Sequence, residues 1–154
     1  MNEQLSVQKF RNENQSLVNG YIRPISNSEV DEYITILTNC SLKDKYNPFA
    51  ITAFGDIIAI DNEGFIMIFR LVDGIENVIC ADADLFFNLL DDKEYLNDCF
   101  FMDDYEYARK VVGELQKDES YIYEPIPALG GSKSRESIGK GKTKEYLVLL
   151  NSFI

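Results

Sequence analysis

Apolar residues along this chain change period twice, and the changes divide it into segments of different predicted structure. Over residues 1–25 the apolar positions are scattered (Leu5, Val7, Phe10, Leu17, Val18), which predicts one short helix followed by an extended arm containing Pro24. From Ser28 the spacing of Val30, Tyr33, Ile34 and Leu37 is helical, and a Ser28-x-x-Asp31 start has the form of a capping box, so a helix is predicted over 28–39. The centre is β-like. Asp56 to Ile60, Phe65 to Val72 and Ile75 to Cys80 are short β-branched and aromatic runs bounded by turn residues. Asp61-Asn62-Glu63-Gly64 predicts one hairpin turn and Asp73-Gly74 a two-residue one, giving a three-stranded antiparallel meander.

After Ala81 the period is helical again, with Leu85, Phe86, Leu89 and Leu90 on one side of a short helix and Tyr95 and Leu96 in the next. A longer helix is expected from about 104 to 116, its face formed by Tyr105, Ala108, Val112 and Leu115 and widened by Val111. Tyr121 to Ile126 predicts a further strand, placed by Pro125 and Pro127 at a sheet edge. Tyr146, Leu147, Leu149, Leu150 and Phe153 form the stripe of a closing helix. No internal repeat or linker interrupts the 154 residues, so a single domain is predicted. Its fold class is α+β, a mainly antiparallel sheet of the meander plus an added strand, packed against several helices.

Charge narrows the function classes. With 15 basic and 26 acidic residues the formal charge is −11, a field that repels nucleic acid and anionic membranes and favours a basic protein partner. Cys40, Cys80 and Cys99 have neither disulfide-framework nor zinc spacing and are expected to be free thiols. The chain opens without a charged n-region and apolar h-region, and no apolar run approaches bilayer length, so a cytoplasmic location is expected.

Two stretches invite chemistry. Gly130 to Thr143 ends in Gly141-Lys142-Thr143, as a phosphate-binding loop does, but the first glycine of that pattern is replaced by Glu136. The register ending at Gly139-Lys140 places Ser134 at the first glycine and Gly141 where a hydroxyl belongs. A basic surface loop is the favoured reading, and a nucleotide-responsive enzyme or regulator the alternative.

Residues 82–106 hold nine acidic side chains against Lys93 alone. The central glycine and alternating ligands of a calcium loop are missing, and the chain has no histidine, so no metal, cofactor or catalytic residue is assigned. Asp91-x-x-Glu94 and Asp103-x-x-Glu106 match the geometry of helix caps, which gives several acids a local role. The charge that remains can receive a basic partner. Asp91, Asp92, Glu94, Asp98, Asp103 and Asp104 are therefore the candidate partner-binding residues.

Ala53-Phe54-Gly55-Asp56 leads through Ile57 to Ile60 and Phe65 to Leu71 to Asp84-Leu85-Phe86-Phe87 and Lys93-Glu94-Tyr95-Leu96. Tyr121 to Pro127, Leu129-Gly130-Gly131-Ser132 and the closing helix follow. This order resembles the C-terminal domain of bacterial type VI secretion immunity proteins of the Tdi type, over about residues 50–152. A divergent GAD-like region is suggested around the 28–39 helix. The resemblance implies a cytoplasmic, non-enzymatic antidote that binds and neutralises a cognate toxin, with a DNase effector as the known example, and it carries no catalytic residues with it. A housekeeping protein-interaction module is the other binding-class reading.

Overall fold

The computed structural model describes residues 2–37 and 46–152. The predicted end of the second helix at 38–39, Cys40 and Phe153 lie outside the described residues.

Helix α1 (Asn2–Glu13) is followed by strand β1 (Ile22–Pro24) and helix α2 (Val30–Leu37). Strands β2 (Tyr46–Thr52), β3 (Ile57–Asp61), β4 (Ile66–Arg70) and β5 (Ile75–Cys80) come next. Helices α3 (Ala83–Leu89), α4 (Lys93–Cys99) and α5 (Met102–Val111) precede a pair of strands, β6 (Glu119–Tyr123) and β7 (Ile138–Lys142), and helix α6 (Thr143–Asn151). Strands β1 to β5 form one antiparallel sheet in sequence order, while β6 and β7 pair separately. The α+β class is as expected, and the predicted meander is β3-β4-β5.

Alternation along the central strands builds two cores. Ile58, Ile60, Ile66 and Ile68 face one side, against Val7 and Phe10 of α1, Phe86 of α3 and Tyr105 and Ala108 of α5. Ile57, Ala59, Met67 and Phe69 face the other, against Tyr33, Ile36 and Leu37 of α2 and Tyr146, Leu147 and Leu150 of α6. Helices on both faces explain why β3 and β4 read as unbroken apolar runs and not as half-polar strands.

Several local expectations are corrected. The added strand does not join the meander: β6 pairs with β7, with Tyr121 opposite Lys140 and Tyr123 opposite Ile138. Residues 138–142, read as surface loop, are therefore a strand. The sheet gains β1 and β2 instead, and β2 accommodates Pro48 at a register shift between Pro48 and Ala50. The Asp73-Gly74 hairpin has a four-residue connection, because Arg70 pairs with Ile75. The 61–64 turn is as predicted; the Asp61 carboxylate accepts from the Glu63 and Phe65 N–H groups, both at 2.9 Å.

Helix limits shift for similar local reasons. The Ser-Glu pair before α2 is Ser26 and Glu29, whose side chains bond at 3.0 Å ahead of a 3-10 turn, so Ser28-x-x-Asp31 is not the capping pair. Helix α5 stops five residues before 116, followed by Gly113 with φ +107, a conformation open chiefly to glycine. Leu85 points outward from α3, while Ala83, Phe86 and Leu90 are buried.

Candidate partner-binding face

Short helices give the acidic stretch its shape. Asp82 caps α3 by accepting from Leu85 N–H at 2.7 Å. Asp92 caps α4 by accepting from the N–H groups of Glu94 and Tyr95, at 2.9 and 3.2 Å. Both carboxylates satisfy donors that a helix start leaves unpaired and sit at the positive end of the helix. The cap of α4 is thus Asp92, one residue after the Asp91 expected from the motif. Helix α5 begins after Phe101 without a side-chain cap, which removes the capping role from Asp103 and leaves Asp103 and Asp104 as acids of its first turn.

The six candidate residues divide by what holds them. Asp91, Asp92, Glu94 and Asp98 belong to α4 or its start and are exposed; Glu94 and Asp98 lie one turn apart on that helix. Asp103 is exposed on α5, and Asp104 is half-buried, taken up by Arg135 with Nε to Oδ1 at 2.7 Å. The candidates thus occupy two successive helices, and Asp91, Glu94, Asp98 and Asp103 keep open carboxylates. Phe100 is buried in the first core between those helices, and Tyr95 of α4 donates its hydroxyl to the Ile79 carbonyl at 2.7 Å, fixing α4 to β5.

The basic segment after Gly130 is drawn onto the chain's own acids. Lys133 meets Asp73 at 2.7 Å and Lys142 meets Asp118 at 2.8 Å. Lys144 reaches Glu29 and Glu32 at 2.9 and 3.1 Å, and its ammonium titrates higher than a free lysine because of them. Lys142 and Lys144 line a cleft of about 1040 Å³ with Arg23, Lys117 and Asp118, and both lysines are already paired with carboxylates. The Thr143 hydroxyl is buried 2.7 Å from that of Ser120, and its N–H donates to the Asp118 carbonyl at 2.8 Å. These residues join β7 to α6 and do not form a phosphate cradle. In the preceding turn, a Cβ on Gly131 would stand 1.7 Å from the Pro125 carbonyl oxygen, a close approach only glycine permits.

Two polar centres, one half-buried and one buried, escaped the sequence. Arg23 donates to the carbonyls of Lys117 (3.2 Å), Glu119 (2.5 Å) and Thr52 (3.1 Å) and to Ser120 Oγ (3.2 Å), tying the five-stranded sheet to β6. Burial lowers its pKa, as expected of a cation taken from water. Asp56, only 1% exposed, stands 3.5 Å from Arg70 Nε. That contact lacks hydrogen-bond geometry, so Asp56 Oδ2 and Arg70 Nε remain without a hydrogen-bond partner. Burial consequently outweighs the attraction of Arg70 and pushes the Asp56 carboxyl up to about 7. The only signal for it in the sequence is the Phe54-Gly55-Asp56 run.

The segment carrying α3 to α6 is the part with recognisable kinship. Residues 81–153 match the family model of the T6SS immunity protein Tdi1, C-terminal. All six candidate acids, the Gly130-Gly131 turn and the β6–β7 pair fall inside this segment, which is similar to the C-terminal domain of that immunity protein over just under half of the chain. The match begins after β5, so the first part of the expected 50–152 range and the GAD-like region lie outside it. The fold as a whole is similar to the crystal structure of Atu4351 from Agrobacterium tumefaciens, with a TM-score of 0.68 and 13% sequence identity. That similarity covers 96% of this chain and 80% of Atu4351, and at such identity it shows the fold alone. No curated protein matches the chain. Among the described residues no helix is long and apolar enough to cross a membrane.

Proposed function

We propose that the chain is a cytoplasmic immunity protein that binds and neutralises a cognate secreted toxin of basic character, with a nuclease effector as the toxin class. The observation that carries this reading is the Tdi1-type segment over 81–153 with its open carboxylates on α4 and α5. Nucleases present positive grooves to their substrates, and a chain with formal charge −11 competes for such a groove while being repelled by the nucleic acid itself. Inhibition is stoichiometric and employs no catalytic group or cofactor.

Asp91, Glu94, Asp98 and Asp103 are assigned to steering and docking. Asp92 and Asp104 support the same face by capping α4 and holding Arg135. Charge reversal of the first four to lysine, leaving Asp92 and Asp104 intact, is expected to slow association with the cognate effector by about tenfold or more at low salt. The difference should shrink as salt rises, while the circular dichroism spectrum stays unchanged. Stopped-flow or surface-plasmon measurement reads the rate, and an unchanged rate would remove the acidic face from the interface.

A further inference from the structure

Strand β5 is an edge of the five-stranded sheet, paired with β4 on one side and with no described strand on the other. Its first four residues, Ile75, Glu76, Asn77 and Val78, are all exposed, with Ile75 at 40% and Val78 at 57%, whereas Met67, Ile68 and Phe69 opposite the last three are buried and Arg70 opposite Ile75 is half-buried. Register puts Val78 beside Met67 and Glu76 beside Phe69 on one face, and Asn77 beside Ile68 on the other. Folded proteins ordinarily blunt such an edge with a bulge, a lysine, a proline or a covering segment. Among the described residues the protection is confined to one end: the register shifts at Ile79, and the Ile79 carbonyl is taken by the Tyr95 hydroxyl. The opposite edge is closed differently, because β1 is three residues long and Ile22 forms a bridge with Leu17.

The geometry points to residues 75–78 as a docking edge that accepts one extended, basic strand from the toxin, by β-strand addition. This rests on the toxin-binding reading above and specifies how the partner engages. Main-chain hydrogen bonds supply the affinity of such a contact, and alternating side chains its specificity. The edge offers Val78 for apolar contact and Glu76 as its only charge, with exposed Glu94 and Asp98 on the helix that Tyr95 fixes to β5. A strand with lysine or arginine at alternate positions complements that pattern. A second copy of β5 would bring another Glu76 and the same acidic helix to the edge, and like charges across paired strands destabilise them.

The test uses a synthetic heptapeptide of alternating lysine and valine, its glutamate-valine counterpart, and hydrogen exchange of the whole chain. The basic peptide is expected to protect the backbone amides of residues 75–78, and the acidic one to leave them unprotected. Val78→Lys and Glu76→Lys, both at exposed positions, should each weaken binding of the basic peptide by about tenfold or more while the melting temperature is kept. Absence of protection, equal protection by the acidic peptide, or protection that rises with chain concentration in the absence of peptide would overturn the inference. Peptide protection in a chain that fails to bind the effector would retain the edge and remove the toxin reading. Effector binding without protection at 75–78 would do the reverse.

Discussion

Replacing Arg70 by methionine is expected to destabilise the protein by about 3–5 kcal/mol near pH 8, and by clearly less near pH 5. Methionine keeps much of the apolar stem, so the loss falls on the guanidinium. That group stands 3.5 Å from the buried Asp56 carboxylate, donates to the Cys99 carbonyl, and lies 5.0 Å from the centre of the Phe101 ring. Breaking a buried pair on one side leaves the other charge uncompensated, which is why the expected cost exceeds the net value of the pair.

The pH dependence follows from Asp56. Its carboxyl titrates near 7 in the folded chain against an ordinary 3.8, so between those values the folded state holds a proton that the unfolded state has released. Stability contributed by this group is therefore full at low pH and declines as pH rises towards 7. In the variant the carboxyl loses the attraction of Arg70 and is raised further. Near pH 5 it is neutral in the folded chain with or without Arg70 and tolerates the loss; near pH 8 the folded variant must either keep a proton that the unfolded chain has released or bury an unpaired charge. Chemical denaturation at the two pH values reads both costs, and equal costs would mean that Arg70 acts through its other contacts and not through Asp56.

The second large effect is expected at Phe54. Its ring lies 6.1 Å from that of Tyr21, 5.9 Å from Phe101, 5.8 Å from Tyr121 and 6.5 Å from Tyr123, measured between centroids. One side chain thus joins the segment before β1, the start of α5 and both inward tyrosines of β6. Phe54→Ala should cost about 3–5 kcal/mol, through lost burial and the cavity left behind. For a chain of this size that corresponds to a fall in melting temperature of roughly 10 °C. The near-ultraviolet tyrosine signal should weaken and the β6–β7 amides should exchange faster, because the Tyr121 N–H to Ala53 carbonyl bond of 2.8 Å is the adjacent anchor. A loss below about 1 kcal/mol would show that β6 is held without this aromatic cluster.

Where the pattern in the sequence follows directly from burial, it reports the fold well. The apolar runs of β3 and β4 and much of the faces of α2, α5 and α6 are legible because Tyr33, Leu37, Tyr105, Ala108, Tyr146, Leu147 and Leu150 fill the two cores, whereas Val111 and Leu149, expected on those faces, are exposed. Strand β2 is obscured by Pro48, which a bulge accommodates. Strand β7 is obscured by composition: Ile138-Gly139-Lys140-Gly141-Lys142 has no apolar alternation and becomes a strand only because β6 supplies its partners. Long-range pairing of this kind leaves little local trace.

The candidate site shows the same division. The clustering of acids is visible in the sequence, and so is the tendency of some to start helices. Which acid caps depends on where each short helix begins, so Asp82 and Asp92 take the role and Asp91 and Asp103 do not. Pairing of Asp104 with Arg135 requires two residues distant in sequence to meet. Asp56 lies just before a strand beside a turn, where an exposed acid is the ordinary expectation; only the folded arrangement places it beside Arg70.

Growth measurements test whether this chain neutralises a cognate toxin by binding it. Bacterial cells producing the cognate effector should arrest alone and recover when this chain is co-expressed, and the two proteins should co-purify as a stoichiometric complex. Equal arrest with and without the chain, with no complex recovered, would mean that the chain is not an antidote to that toxin.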